Sequence, residues 1–186
     1  MKIFALAGSM RTGSYNVSLI RLAADEARRQ GADVMLVPLR DLAPPNYDGD
    51  LEMASGLPAT AQALARHIES ADGLMIATPE YNASVPGPLK NAFDWVSRLK
   101  PYRLQDKSVL LMGASAGRGG ALKGIAALDV TLTYQGAAIH PEVFSLPNGK
   151  TAFDEDGRFA DVTMKDKLAQ LIGAYLATIP ARTTVC

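Results

Sequence analysis

Small polar residues and a cation are concentrated near the N-terminus, at residues 8–16, where the chain reads GSMRTGSYN. Ser9, Ser14 and Asn16 offer side-chain hydrogen-bond donors, Arg11 offers a positive charge, and the glycines allow backbone N–H groups to turn inward. The stretch follows a short apolar run and leads into a helical pattern, so it would hold an anion against a helix N-terminus. These residues predict a phosphate-binding loop.

The spacing within this stretch argues against two common nucleotide-binding loops. It lacks the Gly-Lys-Ser/Thr ending that binds a triphosphate with magnesium. It also lacks the Gly-x-Gly-x-x-Gly spacing of a dinucleotide fingerprint, and Pro38 and Leu39 stand where that fingerprint would have an acidic residue. A single terminal phosphate fits better. The simpler alternative, in which Ser14 only caps the following helix, stays open.

Two further loops follow buried apolar runs and could bind the remainder of a ligand. In residues 78–88, TPEYNASVPGP, the side chains of Pro79, Tyr81 and Val85 form a rigid, partly apolar edge that could flank a flat ring. Alternatively, this stretch is only a proline-rich connection. Residues 113–120, GASAGRGG, allow close backbone approach. A phosphate joined to a flat ring describes flavin mononucleotide (FMN).

Alternating strands and helices must position these loops. Helical patterns separate five short apolar runs that predict buried strands, at residues 3–7, 34–37, 73–77, 108–112 and 137–139. The alternation predicts an α/β fold, a flavodoxin-like three-layer sandwich with a five-stranded parallel sheet and helices on both faces. The loops after strands one, three and four would then share the carboxyl edge of the sheet, where open sheets bind ligands.

Two segments are predicted to lack regular structure. Residues 41–58 contain a Pro-Pro pair together with Gly, Asp and Asn, which is typical of a long surface connection whose length suggests a function. Residues 143–160 contain two turn signals and no clear periodicity.

Length and composition limit the remaining possibilities. The 186 residues predict one domain, 1–186, and the balance of 19 basic and 19 acidic residues gives no field that would attract nucleic acid or a membrane surface. Cys186 is the only cysteine, so no intrachain disulfide and no cysteine-based metal site are expected. With no export signal or membrane-spanning run, we expect a cytoplasmic protein without a metal.

Two motifs carry a resemblance to a known family. The first is Gly-Ser-x-Arg-x-x-Ser-x-Asn at residues 8–16, and the second is the longer and more specific TPEYNxSxPGxLKNAFDW at residues 78–95. Together they resemble the NAD(P)H-dependent FMN reductases, which include quinone, azo and chromate reductases. The resemblance extends over nearly the whole chain.

The resemblance implies FMN as the cofactor and a role for each loop. The residues that match the family's cofactor-binding positions are Ser9, Arg11, Ser14, Tyr15, Asn16, Pro79, Glu80, Tyr81, Asn82, Ser115, Gly117, Gly119 and Gly120. The first five match the phosphate loop, the next four line the isoalloxazine ring, and the last four match a third flavin loop. In that third loop only Arg118 stands where the family pattern has two residues.

The resemblance also implies an enzyme that transfers hydride from NADPH or NADH through FMN to a small-molecule acceptor. Quinone, azo, chromate and free-flavin acceptors remain open, and the family suggests a homodimer or a homotetramer. Hydride transfer to a flavin depends on stacking and orientation, so no catalytic side chain is predicted. His67 is predicted to lie on the surface, His140 is given no role, and Glu80 is given a backbone or interface role.

Two other functions stay open. The first is an FMN-binding electron-transfer protein without its own NAD(P)H turnover. Such carriers commonly have a surface of one charge sign, which the balanced composition does not favour. The second is a flavin-free regulatory or binding module on the same fold, which would be colourless and would not oxidise nicotinamide.

Overall fold

The apolar runs form one parallel sheet in the computed structural model, which describes residues 1–180. Its strands are β1 Lys2–Ala7, β2 Asp33–Pro38, β3 Gly73–Ala77, β4 Ser108–Ala114, β5 Ala138–Ile139 and β6 Phe144–Leu146. Every residue of β3 is buried, as expected for a central strand covered on both faces. Cys186, on which the predictions about disulfides and cysteine metal sites depend, lies outside the described residues.

The strand order is β2-β1-β3-β4-β5, with β6 also paired to β4. This order confirms the flavodoxin-like prediction. The strand count differs from the prediction, because two short strands share the fifth position: Ser108 of β4 is in register with Ala138 of β5, and Met112 with Phe144 of β6. The prediction that residues 143–160 are irregular is therefore wrong at β6 and also at a short helix, Gly149–Ala152.

Helices cover both faces of the sheet, as predicted. They are α1 Tyr15–Arg29, α2 Leu39–Leu42, α3 Gly49–Ser55, α4 Ala59–Ser70, α5 Gly87–Val96, α6 Leu122–Tyr134, α7 Gly149–Ala152 and α8 Val162–Thr178. The apolar side chains of α1 and α8 pack on one face, and those of α4, α5 and α6 pack on the other. Residues 41–58 are less irregular than predicted, since they include the whole of α3, which is capped by the Asp48 side chain and has no buried residue.

A buried tyrosine fixes the last helix to the sheet. The Tyr175 hydroxyl donates to the carbonyl oxygens of Leu74, at 2.8 Å, and Ser108, at 3.1 Å. Gly73 leaves the room that this contact needs, because a Cβ at that position would lie 2.5 Å from the hydroxyl oxygen. Burial raises the pKa of Tyr175, so the hydroxyl stays a neutral donor. The contact holds the amino-terminal ends of β3 and β4, which are at the edge of the sheet opposite the carboxyl edge where the site is predicted.

Replacing Tyr175 by phenylalanine tests this anchor. We expect Tyr175→Phe to lower the free energy of unfolding by about 1–2 kcal/mol, because the buried Leu74 carbonyl and the partly buried Ser108 carbonyl lose their shared side-chain donor. Urea denaturation measures the change. Tyr134→Phe is the control, since Tyr134 is 77% exposed and its change should stay within about 0.5 kcal/mol. Equal losses in the two variants would contradict the anchoring role.

Candidate functional site

Three loops meet at the carboxyl edge of the sheet. They are the first loop (residues 8–14, between β1 and α1), the second loop (residues 78–86, between β3 and α5) and the third loop (residues 115–121, between β4 and α6). The Gly8 N–H donates to the Ala77 carbonyl at 2.7 Å, and the Thr78 N–H donates to the Met112 carbonyl at 2.8 Å. These bonds continue the strand ladders past the strand ends, so the loops begin side by side as predicted.

The first loop combines a helix cap with a serine turn. Ser14 is the N-cap of α1, and its hydroxyl oxygen accepts from the Asn16 N–H at 3.2 Å. The hydroxyl oxygen of Ser9 accepts from the Arg11 N–H at 3.3 Å. Both serines are buried. The capping role weighed for Ser14 is thus present, and α1 still directs the positive end of its dipole toward the loop.

The side chain of Asn16 is occupied by the neighbouring strand. Its Nδ2 donates to the Ala114 carbonyl at 2.9 Å, and its Oδ1 accepts from the Ala114 N–H at 2.9 Å. Asn16 is only 2% exposed, so this reciprocal pair is formed away from water. Asn16 therefore joins the start of α1 to the end of β4, whereas the sequence suggested a side-chain donor to the anion.

Arg11 and Tyr15 form the exposed side of the first loop. The Arg11 guanidinium lies 5.6 Å from the centre of the Tyr15 ring, within cation–π range, and the Tyr15 ring stacks on Phe153 at 6.2 Å. Arg11 is exposed, and within residues 1–180 no carboxylate forms an ion pair with it. Its charge is thus available to a ligand.

The second loop is a tight turn that holds Tyr81 away from the core. Tyr81 and Ser84 exchange two backbone hydrogen bonds, of 3.0 and 3.1 Å. Asn82 and Ala83 between them both have positive φ, 51° and 61°, the left-handed conformation of a type I′ turn. The Tyr81 side chain remains 49% exposed, and the turn fixes the direction from which it can approach a ligand.

Glu80 and Thr78 support this turn. The Glu80 carboxylate accepts from the Lys123 N–H at 3.0 Å, in the first turn of α6, where the helix dipole favours an anion. This contact gives the Glu80 side chain a structural partner on α6, and the backbone or interface role expected for Glu80 stays a prediction. Thr78, which the sequence did not single out, is fully buried, and its hydroxyl donates to the Pro79 carbonyl at 2.9 Å.

The third loop is supported by the strand that the sequence did not predict. The Ser115 N–H donates to the Leu146 carbonyl of β6 at 3.1 Å, and the Ser145 hydroxyl donates to the Gly120 carbonyl at 3.0 Å. Gly120 has a φ of +55° and no space for a Cβ beside Ser145. In contrast, within residues 1–180 a Cβ built on Gly117 or Gly119 would have no atom within 4 Å other than those of the glycine itself and its two chain neighbours. The contacts of the fold thus explain why residue 120 is a glycine, whereas the space beside Gly117 and Gly119 is open.

The segment predicted to be a long surface connection, residues 41–58, is hydrogen-bonded to α5, the helix that follows the second loop. The Trp95 indole N–H donates to the Pro45 carbonyl at 2.8 Å, and the Tyr47 N–H donates to the Asn91 side-chain oxygen at 2.8 Å. The Tyr47 ring meets Trp95 edge-on at 5.0 Å. Asn91 and Trp95 are separated by one helical turn, and this spacing was the only sequence signal for the contact.

The two histidines lie in packed surroundings. His67 is partly buried, and its ring stacks on the Phe4 ring with 5.5 Å between the centroids, so it is less exposed than the surface histidine that was predicted. Burial also lowers the pKa of His67. His140 is buried and meets the Tyr175 ring edge-on at 5.8 Å.

Among residues 1–180, no cluster of three His, Cys, Asp or Glu side chains could hold a metal ion, and no helix is long and apolar enough to cross a membrane.

A cavity of about 470 Å³ lies on the β2 side of the first loop. Three predicted site residues line it, namely Ser9, Arg11 and Ser14. None of its lining residues belongs to the second or third loop. The first loop therefore borders two regions, the edge above β1, β3 and β4 and this cavity beside β2. The sequence predicted only the first of them.

The sequence matches a family described as NADPH-dependent FMN reductase over residues 1–151. It is 44% identical to a quinone reductase of Escherichia coli over 117 residues, which cover 63% of this chain and 61% of that protein's length. It is 36% identical to an NAD(P)H-dependent FMN reductase of Pseudomonas aeruginosa over 184 residues, which cover 96% and 93% of the two chains.

Solved structures agree with the sheet topology. The flavoenzyme NAD(P)H:acceptor oxidoreductase FerB of Paracoccus denitrificans superposes with a TM-score of 0.82 at 28% identity, over 96% of each chain. An oxidised flavodoxin of Bacillus cereus superposes with a TM-score of 0.63 at 14% identity, over 96% of this chain and 99% of that chain. The second match supports the fold alone.

Asn16→Ala tests whether the reciprocal pair with Ala114 holds the site together. We expect the free energy of unfolding to fall by about 2–4 kcal/mol, because the buried N–H and carbonyl of Ala114 both lose a partner. Asn46→Ala is a matched control, since Asn46 is exposed. Denaturant titration compares the two variants. A loss in Asn16→Ala no larger than in the control would rule out this role.

Proposed function

The chain belongs to the NADPH-dependent FMN reductase family, and on that premise we propose that it binds FMN and transfers hydride from NADPH or NADH to a quinone. The observation that carries this proposal is the first loop. There, two buried serines and an arginine that has no carboxylate partner among residues 1–180 stand at the N-terminus of α1. A helix N-terminus and a free guanidinium both favour a phosphate dianion, and a monophosphate is the anionic part of FMN.

The other two loops support the ring-binding half of the proposal. The turn at residues 81–84 would place backbone groups and the half-exposed Tyr81 ring beside a flat heterocycle. The open space at Gly117 and Gly119 would let the third loop's backbone approach the same ligand closely. Ser115 and Gly120, fixed by β6, would hold that backbone in position. On this arrangement the predicted cofactor-binding residues act together, with Asn16 positioning the first loop through Ala114 instead of donating to the phosphate.

In the proposed reaction, NAD(P)H loses a hydride, which carries two electrons and one proton, and the quinone gains these together with a second proton from water to become a hydroquinone. When bound, FMN supplies the ring that accepts the hydride and passes both electrons to the acceptor. The chain's own contribution is to bind the phosphate, to orient the ring and to leave one ring face open for stacking. A quinone is the favoured acceptor because several relatives, from bacteria and plants, are named quinone reductases.

The proposal extends to the protein's organisation. Residues 1–186 would act as a single domain in the cytoplasm, as a homodimer or homotetramer, with no nucleic-acid or membrane partner. The exposed edge of α5 offers the Lys90–Asp94 ion pair, of 2.5 Å, as a polar contact for a second subunit. Light scattering of the purified protein measures the subunit number.

Spectroscopy and turnover of the purified protein test the proposed function directly. We expect a flavin absorbance spectrum after incubation with FMN, and oxidation of NADPH or NADH that depends on added quinone. Azo dye, chromate and free FMN should be compared as acceptors under the same conditions. A protein that fails to bind FMN would overturn the central claim. Bound FMN that neither nicotinamide reduces would favour the electron-transfer alternative.

Arg11→Ala tests the phosphate contact. A charge-assisted hydrogen bond contributes roughly 1.5–3 kcal/mol, so we expect FMN affinity to fall more than tenfold. Fluorescence titration of the flavin-free protein measures the dissociation constant. Arg66→Ala is the control, because Arg66 is an exposed arginine on α4 and should leave the affinity unchanged. An Arg11 variant that binds FMN as tightly as the control would refute the assignment.

A further inference from the structure

A row of aromatic side chains connects the first loop with the C-terminal part of the chain. The Tyr15 ring stacks on Phe153, with 6.2 Å between the centroids and 11° between the planes. Phe153 stacks in the same way on Phe159, at 5.6 Å and 15°. Both pairs have the offset, nearly parallel arrangement that aromatic rings favour. The three rings therefore form one continuous stack.

A short hairpin that starts at Phe153 and ends at Phe159 holds these two rings. The two residues pair as an antiparallel bridge, and the Asp154 N–H donates to the Arg158 carbonyl at 2.8 Å. The Asp154 carboxylate closes the turn, because it accepts from the Asp156 N–H at 3.0 Å and from the Arg158 N–H at 2.8 Å. Both phenylalanines are partly buried and pack against the core on the α1 and α8 face of the sheet. Contacts within the chain therefore fix the stack.

The Tyr15 ring is confined on a second side by the segment that supports the third loop. A Cβ on Gly149 would lie 2.6 Å from the Tyr15 ring, so a glycine at this position gives the ring its room. The Gly149 N–H donates to the Ser115 carbonyl of the third loop at 2.8 Å. The position of the Tyr15 ring is thus set by Phe153 and by Gly149 together.

The Arg11 guanidinium lies over the Tyr15 ring, 5.6 Å from its centre. Arg11 is exposed and forms no ion pair within residues 1–180, so no carboxylate sets the direction of its side chain. A long exposed side chain loses rotamer freedom when it binds a ligand, and this loss weakens binding. A ring in contact with the guanidinium restricts that freedom in advance. The Tyr15 ring therefore preorganises Arg11.

We propose that Phe153 is a positioning residue for the phosphate of the cofactor. By holding the Tyr15 ring, Phe153 keeps the Arg11 guanidinium at the first loop. It thereby sets how strongly the protein prefers FMN to riboflavin, which has the same ring system without the phosphate. The inference rests on the proposed function, in which Arg11 contacts that phosphate. The match to the reductase family ends at residue 151, so Phe153 lies beyond the matched residues.

Phe153→Leu gives the direct test, because leucine keeps an apolar side chain and removes the ring. We expect the dissociation constant of FMN to rise about three- to fivefold and that of riboflavin to change less than about twofold. Phe153→Tyr, which keeps the ring, should bind both flavins as the unchanged protein does. Tyr15→Leu removes the ring that Arg11 contacts, and it should lower the preference for FMN by at least the same factor. Fluorescence titration of the flavin-free protein measures the dissociation constants.

Phe4→Leu is the matched control for a loss of packing. Phe4 is a buried phenylalanine in the core on the other face of the sheet, where its ring stacks on His67. Its replacement should lower the free energy of unfolding at least as much as Phe153→Leu does, because Phe4 is more deeply buried. It should nevertheless leave the preference for FMN over riboflavin unchanged. If Phe153 had only a structural role, Phe153→Leu would weaken the binding of both flavins equally, and that result would overturn the inference.

A double-mutant cycle separates this inference from the proposed function. In the Arg11→Ala background, Phe153→Leu should cause no further loss of FMN affinity, because the group that Phe153 positions is absent. Losses that add would overturn the inference, and so would an unchanged preference for FMN in Phe153→Leu, while FMN binding and the proposed reaction would stand. A protein that binds neither flavin would refute the proposed function as well.

Discussion

The reciprocal pair between the Asn16 side chain and the Ala114 backbone is the contact on which the site depends. It joins the first turn of α1 to the last residue of β4, although β3 lies between β1 and β4 in the sheet. An unpaired polar group at this depth would be costly, because both partners are almost fully buried. The contact therefore fixes the first loop relative to the third, with the second loop between them.

Each loop is also fixed by contacts that follow from its own sequence. Ser14 caps α1, the turn at residues 81–84 closes on itself, and β6 supports the third loop from behind. These are short-range hydrogen bonds within or beside each loop, whereas the Asn16 contact spans the sheet. Preorganisation of this kind lowers the cost of binding, since little backbone order remains to be gained when a ligand arrives.

The fold and the outline of the site were predictable because strong local patterns encode them. The parallel sheet was predicted from its buried apolar strands and from the helical periodicity between them. The three loops at its edge were predicted from the glycine-rich stretches that follow the strands. β6 was missed because three residues, Phe144–Leu146, carry no periodicity, and only pairing with Met112–Ala114 makes them a strand. α3 was missed for the opposite reason, since it buries no side chain and is stabilised by its cap rather than by an apolar stripe.

The cavity beside β2, which three arginines line, was not predictable, because its charges come from positions that the sequence keeps apart. Arg11 precedes α1, Arg21 lies within it, and Arg40 follows β2, so only the β1–α1–β2 turn of the chain brings them together. Arg40 also holds the first loop through hydrogen bonds to the Met10 carbonyl and the Thr12 hydroxyl. One short loop thus forms a wall of both regions.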